Sequence, residues 1–331
     1  LIDLIGAPKI LWGSVAEYLL SGYVHGEKTL YKNVTSLQPG FFLLANRRYG
    51  SISQSQYFSY RPAPVYRNRK SLIQEFDDLI DLAIKRTISY ANGRPIVVPL
   101  SGGLDSRLVL AKLKQHKYPE LYSFTYGLSG NHEAMMGQWV AKKLDVPWRF
   151  IRSRTRGLRN LYNTAHRRAY ADYADGRQIV PSYVEYEPLS YVVEQEIFPL
   201  DSVIVNGQSG DFLFGGHVPA TWAKMCSAEI VCDFIVAKHC NHWLTSDLDP
   251  TREKIKSALH ERLDGFLNSD PSKADPSQLM AFYEGWEAQE RQPKAAISNQ
   301  RLYDFLGFAW TLPFWDSELM SFWSQVPYEL K

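Results

Sequence analysis

Apolar residues recur at helical spacing in several stretches and run without interruption in others, and this alternation is the first signal in the chain. In "SLIQEFDDLIDLAIKRTISYA", Leu72, Phe76, Leu79, Ile80, Ala83 and Ile84 fall on one face, which predicts a helix capped by Ser71. After the turn signal Asn92-Gly93 comes "PIVVPL", a short apolar run of the kind a parallel strand buried on both faces requires. The pattern then predicts a helix over 108–117, a strand "LYSFTYG", a helix over 132–144 and a strand "WRFIRS". A helix "YVEYEPLSYVVEQEI" and a strand "SVIVNG" follow. Strands alternating with helices of this length predict an α/β fold built on a doubly wound parallel sheet. In such a sheet ligands bind beyond the carboxyl ends of the strands, so the informative loops follow Leu100, Tyr126 and Val205.

The flanks read differently. A short helix around 14–21 precedes "TLYKNVTSLQPGFFLLANRRYGSISQSQYFSY", whose aromatic and β-branched residues, broken by Pro39-Gly40 and Tyr49-Gly50, predict hairpin-like β structure. "RPAPVYRNRK" is the best linker candidate. From Ala220 onward, amphipathic stretches without clear strands predict a helical continuation. The expected organisation is a small β-rich N-terminal remnant over 1–65 and a larger α/β domain over 66–331. The chain opens on Leu1 and stops at Lys331 after an apparent helix, which suggests that both ends are cut.

Charge and cysteines narrow the function classes. A formal net charge of +2 argues against nucleic acid or a membrane surface as the main partner. No apolar run is long enough to span a bilayer and no signal peptide opens the chain, so a cytoplasmic setting is expected. The three cysteines, Cys226, Cys232 and Cys240, form no CxxC pair and predict reduced thiols. His239 and His242 beside Cys240 make a metal cluster conceivable, but "EIVCDFIVAKHCNHWL" also reads as an apolar helix with buried cysteines.

The loop after the first strand of the alternation reads "SGGLDS", from Ser101 to Ser106. Gly102 and Gly103 permit a turn with positive φ and bring bare N–H groups to a ligand, while the next helix adds its N-terminal dipole. Phosphate fits such a loop, and Ser101 and Ser106 can donate to its oxygens. Asp105 would repel phosphate unless a divalent cation lies between them. A bland alternative stays open: a Gly-Gly turn with Asp105 as a first-turn helix charge. The second loop, "VIVNGQSGDFLFGGH", again follows an apolar strand and carries one carboxylate, Asp211. Two such loops at neighbouring strand ends make a plausible Mg²⁺ pair bridging pyrophosphate oxygens.

The first loop resembles the SGGxDS signature of the PP-loop ATP pyrophosphatases, and the second resembles the SGEGxDExFGGY segment of the asparagine synthetases. That branch includes the β-lactam and carbapenam synthetases and the lasso-peptide cyclases. "AEYLLSGYVHGEKTLYKNVTSLQPGFFL" resembles the end of the family's glutaminase domain, and "TLPFWDSEL" its ARVPFLD segment. The resemblance implies a PP-loop, adenine nucleotide alpha hydrolase-like fold. It implies an enzyme that adenylates a carboxylate with ATP and Mg²⁺, after which an amine displaces AMP. Ser101, Gly102, Gly103, Asp105, Ser106 and Gly207 would hold ATP and its pyrophosphate, Asp105 and Asp211 the Mg²⁺, and the backbone at Leu100 and Tyr126-Gly127 the adenosine. The implied partners are a small-molecule carboxylate and an amine or ammonia donor, with a glutaminase domain or subunit as one source.

Departures from the pattern fall on the acceptor side. Gln208 stands where the family has a Glu or Tyr, and an amide is neither base nor anion. Phe212 replaces an acidic residue, and Gly210 stands at a variable position. Arg301 falls where the family has a Lys or Arg that neutralises charge, and Lys294 lies one to two helical turns before it. "RSRTRGLRN", Arg167, Arg168 and Arg177 form a basic run that either receives an anion or is a solvated face. Asp172 and Asp175 are substrate-pocket candidates. Two other readings remain: a PP-loop enzyme that adenylates another substrate class, such as a tRNA base, and a nucleotide-binding homologue with impaired catalysis.

Overall fold

The structure is a computed structural model that describes residues 9–153, 159–180, 182–268 and 270–331. Its centre is a five-stranded, all-parallel sheet of β3 (Ile96–Pro99), β4 (Leu121–Gly127), β5 (Trp148–Arg152), β6 (Val203–Val205) and β7 (Ala309–Thr311). The strand order is β5-β4-β3-β6-β7. The winding therefore reverses between β3 and β6, and the crevice above this switch point is where such a sheet offers a ligand site.

The apolar runs explain the layering. Successive strand residues point to opposite faces. Ile96, Val98, Val203 and Val205 accordingly pack on one side against α2 (Arg69–Ala91), α3 (Leu104–Gln115) and α4 (His132–Leu144). Val97 and Ile204 pack on the other, with Tyr170 and Ala174 of α5 (Ala165–Ala174) and Tyr186, Leu189 and Val192 of α6 (Tyr186–Glu194). Both faces are thus covered, which the uninterrupted β-branched sequence requires. A further core joins Leu20 of α1 (Trp12–Ser21) to three helices of the C-terminal part: α8 (Ala228–His239), α9 (Asp249–Leu267) and α10 (Pro276–Gln289). Between β6 and α8 lies the one-turn α7 (Gly210–Leu213).

Several sequence expectations need correction. Asn68, not Ser71, caps α2, its side chain accepting the Lys70 N–H, so the helix starts at Arg69. The helical C-terminal part contributes a strand, β7, too short at three residues to show a period. Within 29–60 the hairpin is confined to β1 (Phe41–Asn46) and β2 (Ser51–Gln56), with only isolated bridges before it. The linker candidate is tied down, since the N–H groups of Ala63 and Val65 donate to the carbonyls of Ser324 and Gln325. Among the described residues no helix is long and apolar enough to cross a membrane.

Candidate active site

The loop after β3 folds on its own hydroxyls. Ser106 Oγ accepts the Ser101 N–H at 3.1 Å and lies 3.2 Å from Ser101 Oγ, which accepts the Gly103 N–H at 3.1 Å. Gly103 is the N-cap of α3 with φ −74°, and neither it nor Gly102 adopts a positive φ. The expected left-handed turn is absent, and a Cβ would meet nothing closer than 3.6 Å at Gly102 and only Ser101 Oγ, at 3.3 Å, at Gly103.

The loop after β6 is held against it. The Asp211 N–H donates to Asp105 Oδ2 at 3.0 Å. A Cβ on Gly207 would stand 2.7 Å from the Ser106 nitrogen, and one on Gly210 would stand 2.4 Å from the Asp105 carboxyl carbon. Only glycine allows this approach at either position. Between them Ser209 takes a left-handed φ of 71°, a strained choice for a residue with a side chain.

Above the switch point opens a cavity of about 500 Å³ whose lining includes Leu100, Ser101, Gly103, Asp105, Ser106, Tyr126, Gly207, Gln208 and Asp211. Gly102 and Gly127 belong to the same loops but do not line it. Four carboxylates, of Asp105, Glu133, Glu185 and Asp211, face this space, and among the described residues no Lys, Arg or His lines it. Burial and the neighbouring Asp211 charge push the Asp105 carboxyl above its usual range, against the Asp211 N–H. His217 holds Asp211 below the usual range, its Nε2 2.7 Å from Asp211 Oδ2. Burial would lower His217 itself, but hydrogen bonds to Asp211 and to Glu287, 2.5 Å from Nδ1, raise it to about 9. Two converging carboxylates, one strained by the other's charge, fit a divalent cation whose remaining ligands are phosphate oxygens and water.

Other candidates lie elsewhere. Gln208 lines the cavity and accepts at Oε1 from Gln300 Nε2 at 2.5 Å. Arg301 turns away, donating to the Tyr173 carbonyl at 2.7 Å with its guanidinium 5.0 Å from that ring. Lys294 is buried, bonded to the carbonyls of Val24 and Gly26 and to Glu290. Phe212 is also buried and stacks on Trp315, so its exchange for an acid changes the core and not the cavity wall. Asp172 and Asp175 do not line the cavity, and Asp175 pairs with Arg177. Arg167 lies over the rings of Tyr162 and Tyr183. The basic run around 154–158 lies outside the described residues.

Cys232 and Cys240 are buried in the third core with thiols pushed up to about 12, and Cys226 to about 11, by burial. Among the described residues no three His, Cys, Asp or Glu side chains gather as a metal site, which removes the cysteine cluster. Residues the sequence did not single out complete the cavity: Glu133, Glu185, Asn206 and Gln300. Asn206 lies within the second loop segment, directly after its strand, whereas Glu133, Glu185 and Gln300 sit in no motif.

The sequence profile described as asparagine synthase matches residues 75–331. The chain belongs to the asparagine synthase family. Among solved structures it is similar to an NH3-dependent NAD synthetase from Campylobacter jejuni subsp. jejuni NCTC 11168 in complex with nitrate. The two share 14% identity over 67% of this chain and 94% of that one, with a TM-score of 0.32. It is also similar to a predicted subunit of tRNA methyltransferase from Methanocaldococcus jannaschii DSM, at 15% identity over 56% and 91% of the two chains and a TM-score of 0.21. A comparison with curated proteins gave no match. In this asparagine synthase family chain, both loops that carried the resemblance meet at the switch point of the sheet.

Proposed function

We propose that this chain is an ATP-dependent carbon–nitrogen ligase. It would join a substrate carboxylate to AMP with release of pyrophosphate, then pass the acyl group to an amine or ammonia with release of AMP. The observation that carries this reading is the hydrogen bond from the Asp211 backbone N–H to the Asp105 carboxylate, which joins the loops after β3 and β6 where both residues line the cavity. Leu100 and the backbone at Tyr126-Gly127 are proposed to frame adenosine. Ser101, Gly102, Gly103, Ser106 and Gly207 would hold the pyrophosphate, and Asp105 and Asp211 the Mg²⁺. When bound, the metal neutralises the phosphates and stabilises charge on the departing pyrophosphate.

Among the described residues the cavity lining offers the polyphosphate no cation. By resemblance, Arg301 and Lys294 supply one, but Arg301 would have to leave Tyr173 and Lys294 its three buried bonds. The nitrogen donor is proposed to be free ammonia or an amine, with a glutaminase domain or subunit as one source. Gln208 favours a second reading, a homologue that binds nucleotide without turnover.

Incubation with ATP, Mg²⁺ and a panel of carboxylates separates these readings. Carboxylate-dependent pyrophosphate and AMP support the ligase, whereas ADP and phosphate overturn it. Tight ATP binding with no turnover across the panel supports the second reading.

A further inference from the structure

Along one wall of the cavity runs a line of hydrogen-bonded residues, backed by Tyr303 and closed through the Gln208 backbone N–H. The hydroxyls of Tyr126 and Tyr303 donate to the two oxygens of Glu185, at 2.8 and 3.1 Å. Asn206 Nδ2 donates to Tyr303 Oη at 3.2 Å, and Asn206 Oδ1 accepts the Gln208 N–H at 3.0 Å. Gln208 in turn accepts from Gln300, whose own buried Oε1 has no hydrogen-bond partner. Glu185 is therefore the one charged member of a wall that links it to Gln208, the position where a base was expected.

Glu185 holds no cation among the described residues, and both hydroxyls bonded to it are neutral. A crowded carboxylate in that state has lost water and gained no opposite charge, so burial raises its proton affinity. The group that would complete the wall carries a positive charge and several N–H donors, as a protonated amine does. Such a group would supply the opposite charge that Glu185, which lines the cavity, does not have among the described residues. Asp105 and Asp211 are assigned to the metal, and Glu133 is exposed.

We propose that Glu185 is the ammonium subsite and general base of the second half-reaction, binding the protonated nitrogen donor and taking the proton that nitrogen must lose before it attacks. This rests on the ligase reading above. The Glu185 carboxylate takes one proton, freeing the nitrogen lone pair, and the nitrogen attacks the acyl carbon of the adenylate. A C–N bond forms, the C–O bond to AMP breaks, and AMP leaves with that electron pair. The new amide nitrogen sheds its second proton to water.

Glu185→Gln keeps the shape and removes the charge and the basicity. In the full chain saturated with Mg·ATP, the Glu185 carboxyl ¹³C resonance is assigned by its loss in E185Q and followed as ammonium chloride is added. Tetramethylammonium chloride, which has no N–H, is the control. A saturable shift with ammonium alone is expected. No shift, or the same shift with both salts, overturns the subsite whether or not the protein turns over.

The base is tested through AMP formation with a panel of amino-acid and sugar carboxylates at pH 7.5, using ammonium or hydroxylamine. Hydroxylamine is uncharged there and needs no proton removed before attack. E185Q should lose roughly 10²- to 10⁴-fold with ammonium and stay within about threefold with hydroxylamine. Equal losses with both nucleophiles, or no loss with either, overturn the base. A wild-type chain that forms no AMP with either nucleophile overturns the ligase reading and the base together, and the resonance shift still decides the subsite. Should E185Q not fold, Glu185→Asp, which retracts the carboxylate by one methylene, is read in the same turnover assay with the same expected split.

Discussion

The backbone N–H of Asp211 donates to the Asp105 carboxylate at 3.0 Å across 106 positions of sequence. That bond joins the two strands on either side of the switch point more tightly than sheet pairing alone, because it fixes the charged ends of the loops and not just their starts. It also sets an electrostatic conflict, since burial and the Asp211 charge raise the Asp105 carboxyl, that a divalent cation would relieve. The first loop thus depends on the smallest residues of the second, Gly207 and Gly210.

Gly210→Ala puts that dependence to a direct test. The new Cβ would stand 2.4 Å from the Asp105 carboxyl carbon, so the carboxylate must swing aside. The backbone at 210 has no positive φ, and alanine suits the helix it opens. The expected result is a weakening of Mg·ATP binding by about tenfold or more, equivalent to about 1.4 kcal/mol, measured by calorimetry. The melting temperature should move by less than about 3 °C. Gly207→Ala should differ, since its Cβ would meet the Ser106 backbone at 2.7 Å and backbone cannot swing away. That variant should lose stability as well, by about 1–3 kcal/mol. Unchanged nucleotide affinity in Gly210→Ala would remove the two-loop site.

Asp105→Asn separates the metal-free protein from the loaded one. Asparagine keeps an oxygen to accept the Asp211 N–H and removes one of two repelling charges. The unliganded melting temperature should stay equal or rise slightly. The rise that Mg·ATP gives the wild type should shrink in proportion to lost affinity. A variant whose melting temperature responds to Mg·ATP as the wild type does would show that Asp105 holds no metal.

The βα alternation and both loops were legible because each is a local pattern: a β-branched run, a helical period, a Gly-rich turn with one acid. The rest of the site was not, since Glu185 and the segment carrying Gln300 and Tyr303 lie far in sequence from both loops and meet Asn206 only through the winding of the sheet. Local competition hid other details. Asn68 and Ser71 are both good caps, and the choice fell to Asn68, in a segment whose upstream residues are pinned to Ser324 and Gln325. Arg301 matched by sequence position, yet a carbonyl and an aromatic ring at Tyr173 hold it off the cavity.

Lys294→Met asks whether that lysine serves the fold or the chemistry. Its ammonium joins Glu290 at 2.7 Å and two carbonyls of the N-terminal segment, and it is buried. Removing one partner of a buried pair costs about 3–5 kcal/mol. The lower end is expected here, because Arg262 still reaches Glu290 at 2.8 Å. The urea midpoint should fall with the slope unchanged, while Mg·ATP affinity stays within about twofold. Intact stability with lost turnover would instead make Lys294 a catalytic cation.

His239 gives the fold a pH dependence of definite sign. Its ring is buried in the C-terminal helical core, beside Tyr283 and Trp286, and burial together with Arg291 and Lys238 lowers it from 6.5 to about 3. The unfolded chain therefore binds a proton below pH 6.5 that the folded chain refuses until near pH 3. Stability is fully present above 6.5 and is lost through that window at about 1.4 kcal/mol per pH unit. His239→Phe keeps an aromatic ring and removes the titration. Wild type and variant compared by urea unfolding should diverge as pH falls, with the variant gaining roughly 2 kcal/mol on the wild type between pH 6.5 and 5. Other groups titrate equally in both proteins and cancel in the difference. Parallel stability curves would mean that His239 charges freely in the folded state, and that the helical core around it opens to water.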